Sequence, residues 1–156
     1  MATSVLIVDD EPGMRELVKR WLTGQEYVAF EARSAEEAMV VAERNAGIKV
    51  AVVDLQMPGL GGAWLIDQLD RLFPGISVIL ATANDSVSGT LSLKPRVVGY
   101  AVKPLTAKNI LPLIADGVRR SDEYVEDARR RGAADSIDSF LDRKLTRGTH
   151  DDDRKK

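Results

Sequence analysis

A chain of 156 residues is long enough for one domain with a real core and too short for two ordinary ones. With 44% hydrophobic and 29% charged residues it has the composition of a soluble globular protein. Its 22 basic and 24 acidic side chains, net -2, give no reason to expect strong binding to nucleic acid or an anionic membrane. The absence of cysteine excludes disulfides, thiol catalysis and thiolate metal sites.

The first apolar run, Val5 to Val8, reads as a buried strand that ends on three acids, Asp9, Asp10 and Glu11. Acids this early interrupt what would still be apolar in a signal peptide, and no run approaches the ~20 residues of a membrane span, so a cytoplasmic protein is expected. Pro12 suits the first turn of a helix, and Met14, Leu17, Val18, Trp21 and Leu22 follow at the spacing of a single apolar helical face. Glu11 is expected to serve the start of that helix. Tyr27 to Phe30 is a second strand. Ser34 and Glu37 then form a capping box that opens a helix through about Arg44.

A third strand, Val50 to Val53, again ends on an acid, Asp54. Leu65, Ile66, Leu69, Leu72 and Phe73 mark a helix stopped by Pro74 and Gly75; Gly61 at its start leaves it without a side-chain cap. Strands follow at Ile76 to Leu80 and Val97 to Val102. Between them, Asp85 to Lys94 is rich in Ser and Gly and is expected to form a short or mobile helix. Ile110, Leu111, Ile114 and Val118 indicate a last helix that starts late, near Asn109, or is kinked at Pro112.

Five strands alternating with helices predict an α/β fold: a doubly wound parallel sheet, covered on both faces because parallel neighbours need crossovers. The expected division is one domain over 1–120 and a charged tail over 121–156, where 19 of the last 36 residues are charged. Asp135, Ile137, Phe140, Leu141 and Leu145 fit a short amphipathic helix in that tail, and "THDDDRKK" is expected to be disordered. Arg129 to Arg131 read as a solvated helix face, Trp64 as a core-flanking residue, and His150 as solvated.

Ligands of open parallel sheets bind beyond the carboxyl ends of the strands, where the winding reverses. Asp9, Asp10, Asp54, Thr82 and Lys103 all stand at such ends. Carboxylates ~4 Å apart repel by roughly 4 kcal/mol per pair at an effective dielectric near 20, so the cluster must hold a proton or a cation. Oxygen-only ligands favour a hard ion such as Mg²⁺. Such an ion beside a carboxylate, a lysine and a hydroxyl is equipment for phosphoryl transfer. Asp54 is the preferred nucleophile, standing alone on its strand with "DLQMPG" turning behind it, and Asp9 and Asp10 are better placed as ligands.

"VLIVDDEPGMRELVKRWL", "VAVVDLQMPGLGG", "VILATAN" and "GYAVKP" together resemble the response-regulator receiver domain of two-component signalling, chemotaxis-regulator-like, over residues 4 to about 120. The resemblance implies a flavodoxin-like sheet of order 2-1-3-4-5. It implies Asp54 as phosphoacceptor, Asp9 and Asp10 as the acidic pair for Mg²⁺ or Mn²⁺, and the backbone carbonyl of Gln56 as a further ligand. Lys103 would bind phosphate, with Thr82 the switch hydroxyl and Tyr100 the switch aromatic. The implied partners are a sensor histidine kinase or phosphotransfer protein and an output partner or second copy, with neither nucleic acid nor membrane bound by this chain. Leu105 stands where the family usually has an aromatic residue. Two rivals are weighed beside it. A phosphatase of the haloacid-dehalogenase type would carry its nucleophile on the first strand in "DxD" spacing, and a receiver-like module that is never phosphorylated would not need the complete acid and lysine set.

Overall fold

The computed structural model describes the backbone of residues 2–83 and 94–147, and the side chains of 2–83 and 94–132. Five strands, β1 (Thr3–Val8), β2 (Tyr27–Ala32), β3 (Ile48–Asp54), β4 (Ser77–Thr82) and β5 (Val97–Val102), pair in parallel in the order β2-β1-β3-β4-β5. Helices α1 (Pro12–Thr23), α2 (Ala35–Arg44), α3 (Gly61–Leu72) and α4 (Ala107–Arg147) complete the described elements. By packing, the chain falls into two units, Met1–Asp122 and Glu123–Lys156. The expected doubly wound sheet is therefore present in the first unit.

Successive side chains of a strand point to opposite faces, and here both faces are buried. Leu6, Val8, Ala51, Val53, Val78 and Leu80 pack on one side with Ala38 of α2 and Leu65, Ile66 and Leu69 of α3. Val5, Ile7, Val50, Val52, Ile79 and Ala81 pack on the other with Val18 and Leu22 of α1 and Ile110 and Ile114 of α4. Each large side chain so enclosed contributes about 1.5–3 kcal/mol relative to exposure, which is why the central strands read as unbroken apolar runs. Trp64 packs against the first of these clusters, as expected.

The sheet reverses its winding at β1, whose neighbours are β2 on one side and β3 on the other. The register Val8↔Val53 sets the end of β1 level with the end of β3. Ile7 and Val52 face the same cluster, so Asp9 and Asp54, two residues further on, continue that face together. The sheet alone brings the two acids to one edge.

Two expectations need correction. The last helix starts at Ala107 rather than near Asn109, because Thr106 and Asn109 cap each other: Asn109 N–H donates to Thr106 Oγ1 at 3.1 Å and Thr106 N–H to Asn109 Oδ1 at 2.8 Å. Pro112 lies inside that helix. In place of a separate short helix in the tail, the backbone of α4 runs on through Arg147. Glu11 stands at the start of α1 as expected, at its N-cap, without a side-chain cap hydrogen bond. The proposed helix over Asp85 to Lys94 lies outside the described residues apart from Lys94, and "THDDDRKK" lies wholly outside them.

Other local signals are met. Ser34 Oγ accepts the Glu37 N–H at 3.1 Å, and α3 opens on Leu60 with no side-chain cap. Arg129 to Arg131 are exposed, with Arg130 paired to Glu126 and Arg131 to Asp127. Among the described residues no helix is long and apolar enough to cross a membrane. Removal of the one side-chain cap on α2, by Ser34→Ala, is predicted to lower the unfolding free energy by about 1 kcal/mol in urea titrations; an unchanged midpoint would show that the Glu37 N–H does not depend on it.

Candidate functional site

Asp9 and Asp54 are each 3% exposed, which for two acids demands compensation. It comes from Lys103, immediately after β5: its Nζ stands 3.1 Å from Asp9 Oδ2 and 3.3 Å from Asp54 Oδ2. The backbone supplies the rest. Asp9 Oδ1 accepts the Glu11 N–H at 2.9 Å, and Asp54 Oδ1 accepts the Gln56 N–H at 3.0 Å. Lys103 is held from behind, its N–H donating to the carbonyl of Thr82 at 2.7 Å.

Asp10 is exposed and completes the cluster: Asp9, Asp10 and Asp54 each offer a carboxylate oxygen within 4.8 Å of the others. Three carboxylates against one ammonium leave two formal negative charges, the complement of a divalent cation. All donors are oxygen and one side of the cluster faces solvent, which fits a hard, partly hydrated ion such as Mg²⁺.

The loop after β3 shapes the floor. Gly59 and Gly61 have φ of 82° and 70°, a region that most side chains avoid. Gly62 begins the close approach of α3 to β3. A Cβ there would overlap the carbonyl oxygen of Asp54 and lie 2.8 Å from Leu55 Cα, so the helix reaches this depth only because the residue has no side chain. Met57, in the same loop, is buried against the core and ties the turn down.

The remaining sequence candidates occupy distinct places. Thr82 closes β4, fully buried, level with Val102 of β5. Tyr100 is 44% exposed on the edge strand β5. Gln56 is exposed and joins the site through its N–H. Two contributors were missed by sequence reasoning. Arg15, whose Nη1 donates to the Asp9 carbonyl at 2.7 Å, looked like one of several polar residues on α1. Gly62 was hidden in "PGLGG", although the doubled glycine was a signal.

These contacts set the acidities. Burial, chiefly, pushes the Asp54 carboxyl above the ordinary carboxylate value, helped by the Asp9 charge and opposed by the Gln56 N–H and Lys103. Burial works to lower Lys103, but its hydrogen bond to Asp9 and the charges of Asp54 and Asp9 outweigh that and raise it. Burial thus makes the Asp54 carboxyl harder to ionise than a free one, and a cation bound beside it would offset that cost.

The family model for the response regulator receiver domain matches residues 5–115, and the chain belongs to that family. The response regulator protein FleR of Pseudomonas aeruginosa is 34% identical over 118 residues, 74% of this chain and 24% of that protein. The transcriptional regulatory protein GlrR of Escherichia coli is 28% identical over 127 residues, 81% of this chain and 28% of that protein. The chain thus spans about a quarter of the length of these relatives. Among solved structures, a receiver domain from Clostridium thermocellum superposes with a TM-score of 0.72 at 25% identity, covering 80% of this chain and 99% of that one. A CheY-like receiver domain from Methanospirillum hungatei gives 0.71 at 24% identity, covering 80% and 99%. As a receiver domain of two-component response regulators, the chain is of a class of switches that are generally not enzymes.

The raised pKa of Asp54 carries a stability prediction. A carboxyl that holds its proton more tightly when folded contributes stability at low pH that is lost as pH rises through its folded value. In chelator at pH 7, Asp54→Asn should therefore melt above the wild type, and the difference should vanish in acid, where Asp54 is protonated in both states. Added Mg²⁺ should raise the wild-type Tm more than the variant's. A lower Tm for the variant in chelator would mean that the Lys103 attraction outweighs burial.

Proposed function

We propose that this chain is a cytoplasmic phosphorylation switch in which Asp54 accepts a phosphoryl group from a phosphohistidine on a sensor histidine kinase or phosphotransfer protein. A carboxylate oxygen of Asp54 attacks phosphorus as the P–N bond breaks, and the departing imidazole takes up a proton. The acyl phosphate so formed is later hydrolysed, with the receiver assisting both steps and turning over no small substrate. The observation that carries the reading is the ammonium of Lys103 held between two nearly buried carboxylates, beside a third that is open to solvent.

Each group has a part in that step. Asp9, Asp10, Asp54 and the backbone carbonyl of Gln56 would hold Mg²⁺ or Mn²⁺. When bound, the ion supplies positive charge against the phosphoryl oxygens. Lys103, already within 3.3 Å of Asp54, is placed to turn its N–H groups onto a phosphoryl oxygen and stabilise charge there. The product carries nearly two additional negative charges and new acceptor oxygens.

Thr82 and Lys103 follow those oxygens, and Tyr100 fills the space that Thr82 leaves, which shifts a pre-existing equilibrium. An output partner or a second copy would read the change on the surface around β5, where Tyr100 and Val102 are exposed. A coupling of ~1–3 kcal/mol suffices for a five- to 150-fold change in partner affinity. In this reading the receiver occupies 1–120, and 121–156 form a charged extension that binds neither nucleic acid nor membrane.

Incubation with acetyl phosphate and Mg²⁺, followed by peptide mass spectrometry, should place one phosphoryl group on Asp54. Asp54→Asn or excess chelator should abolish it, and Lys103→Ala should slow its formation by about 100-fold, the scale of losing one preorganised donor. Modification that persists in Asp54→Asn, or multiple turnovers of a phosphate ester, would sink the proposal.

A further inference from the structure

Every polar group of Asp9 is engaged. Its N–H donates to the Ala32 carbonyl at 3.1 Å, Oδ1 accepts from Glu11 N–H, and Oδ2 accepts from Lys103. The fourth group, its backbone carbonyl, lies beyond the end of the β1 ladder and has no strand partner. Arg15 supplies one. Side chains of a helix lean toward its N-terminus, so a residue in the first turn of α1 can reach back over the β1–α1 junction. Its Nη1 lies 2.7 Å from the Asp9 oxygen, and its Nε lies 3.5 Å from Glu31 Oε1 on β2.

The consequence follows from peptide planarity. The Asp9 carbonyl belongs to the rigid unit that ends at Cα of Asp10. A clamp on that oxygen orients the plane joining the two acids, and so sets how their carboxylates stand to each other. Glu31 in turn holds the guanidinium, and its position is fixed by pairing with Ile7 in the sheet.

We propose that Arg15 is a positioning residue for divalent-cation binding, anchoring the Asp9–Asp10 peptide to the β2 edge so that the acid pair is preorganised. This rests on the metal role given to those acids above. The arginine fork is required because its two partners take different nitrogens, which one ammonium cannot reproduce.

Mg²⁺ titration by calorimetry on the full chain tests it, because charge and geometry predict opposite signs. Loss of a positive charge near three carboxylates would by itself tighten a cation. Loss of the clamp should weaken it, and Arg15→Ala is expected to raise the Mg²⁺ Kd by about 10-fold, as for lost outer-shell partners of metal ligands. Arg15→Lys, which keeps the charge and stem, should weaken binding in the same direction. Lys19→Gln, which removes the other ion pair to Glu31 without touching Asp9, should leave the Kd unchanged or tighter. An unchanged or lower Kd in Arg15→Ala or in Arg15→Lys, with only Tm reduced, would overturn the inference. Absence of saturable Mg²⁺ binding by the wild type would overturn the metal reading itself, and this inference with it.

Discussion

One ammonium group organises the site. Lys103 Nζ sits 3.1 Å from Asp9 and 3.3 Å from Asp54, bridging the strand ends on either side of the winding reversal. Without it, two carboxylates that are each 3% exposed would face one another in a poorly solvated crevice. With it, the charge falls to a value that a single divalent ion can complete. The sheet order, the short turn after β3 and the close approach of α3 at Gly62 all serve to bring partners to this lysine or to keep its carboxylates in place.

The raised pKa of Asp54 reflects a carboxylate held away from water with incomplete compensation. The large buried side chains on both faces of the sheet supply the stability that permits it. A fully neutralised cluster would have little affinity for a cation.

Much of this was legible in the residues. Apolar runs such as Val5 to Val8 and Val50 to Val53 announce strands buried on both faces, and parallel strands require the helices between them. Asp9, Asp10, Asp54 and Lys103 were readable because each stands at the end of a strand or within two residues beyond it, a position that topology turns into proximity. Features that depend on three-dimensional reach were not. Arg15 makes its bond through the tip of a long side chain to a backbone oxygen six residues earlier, which no periodicity encodes. The early start of α4 depended on a reciprocal bond between Thr106 and Asn109, whose weight against Pro112 cannot be judged from propensity alone. Glu11 looked like a helix-start acid by position, yet its backbone N–H, not its carboxylate, is what the site uses.

The central claim is that three carboxylates and one lysine form a single cation-responsive unit. Carbon-13 NMR of the side-chain carboxyls during Mg²⁺ titration tests it most directly. Asp9, Asp10 and Asp54 should shift together along one saturation curve, while Asp67 on α3 and Asp116 on α4 stay still. Shifts confined to Asp10, or spread evenly over all acids, would contradict the account.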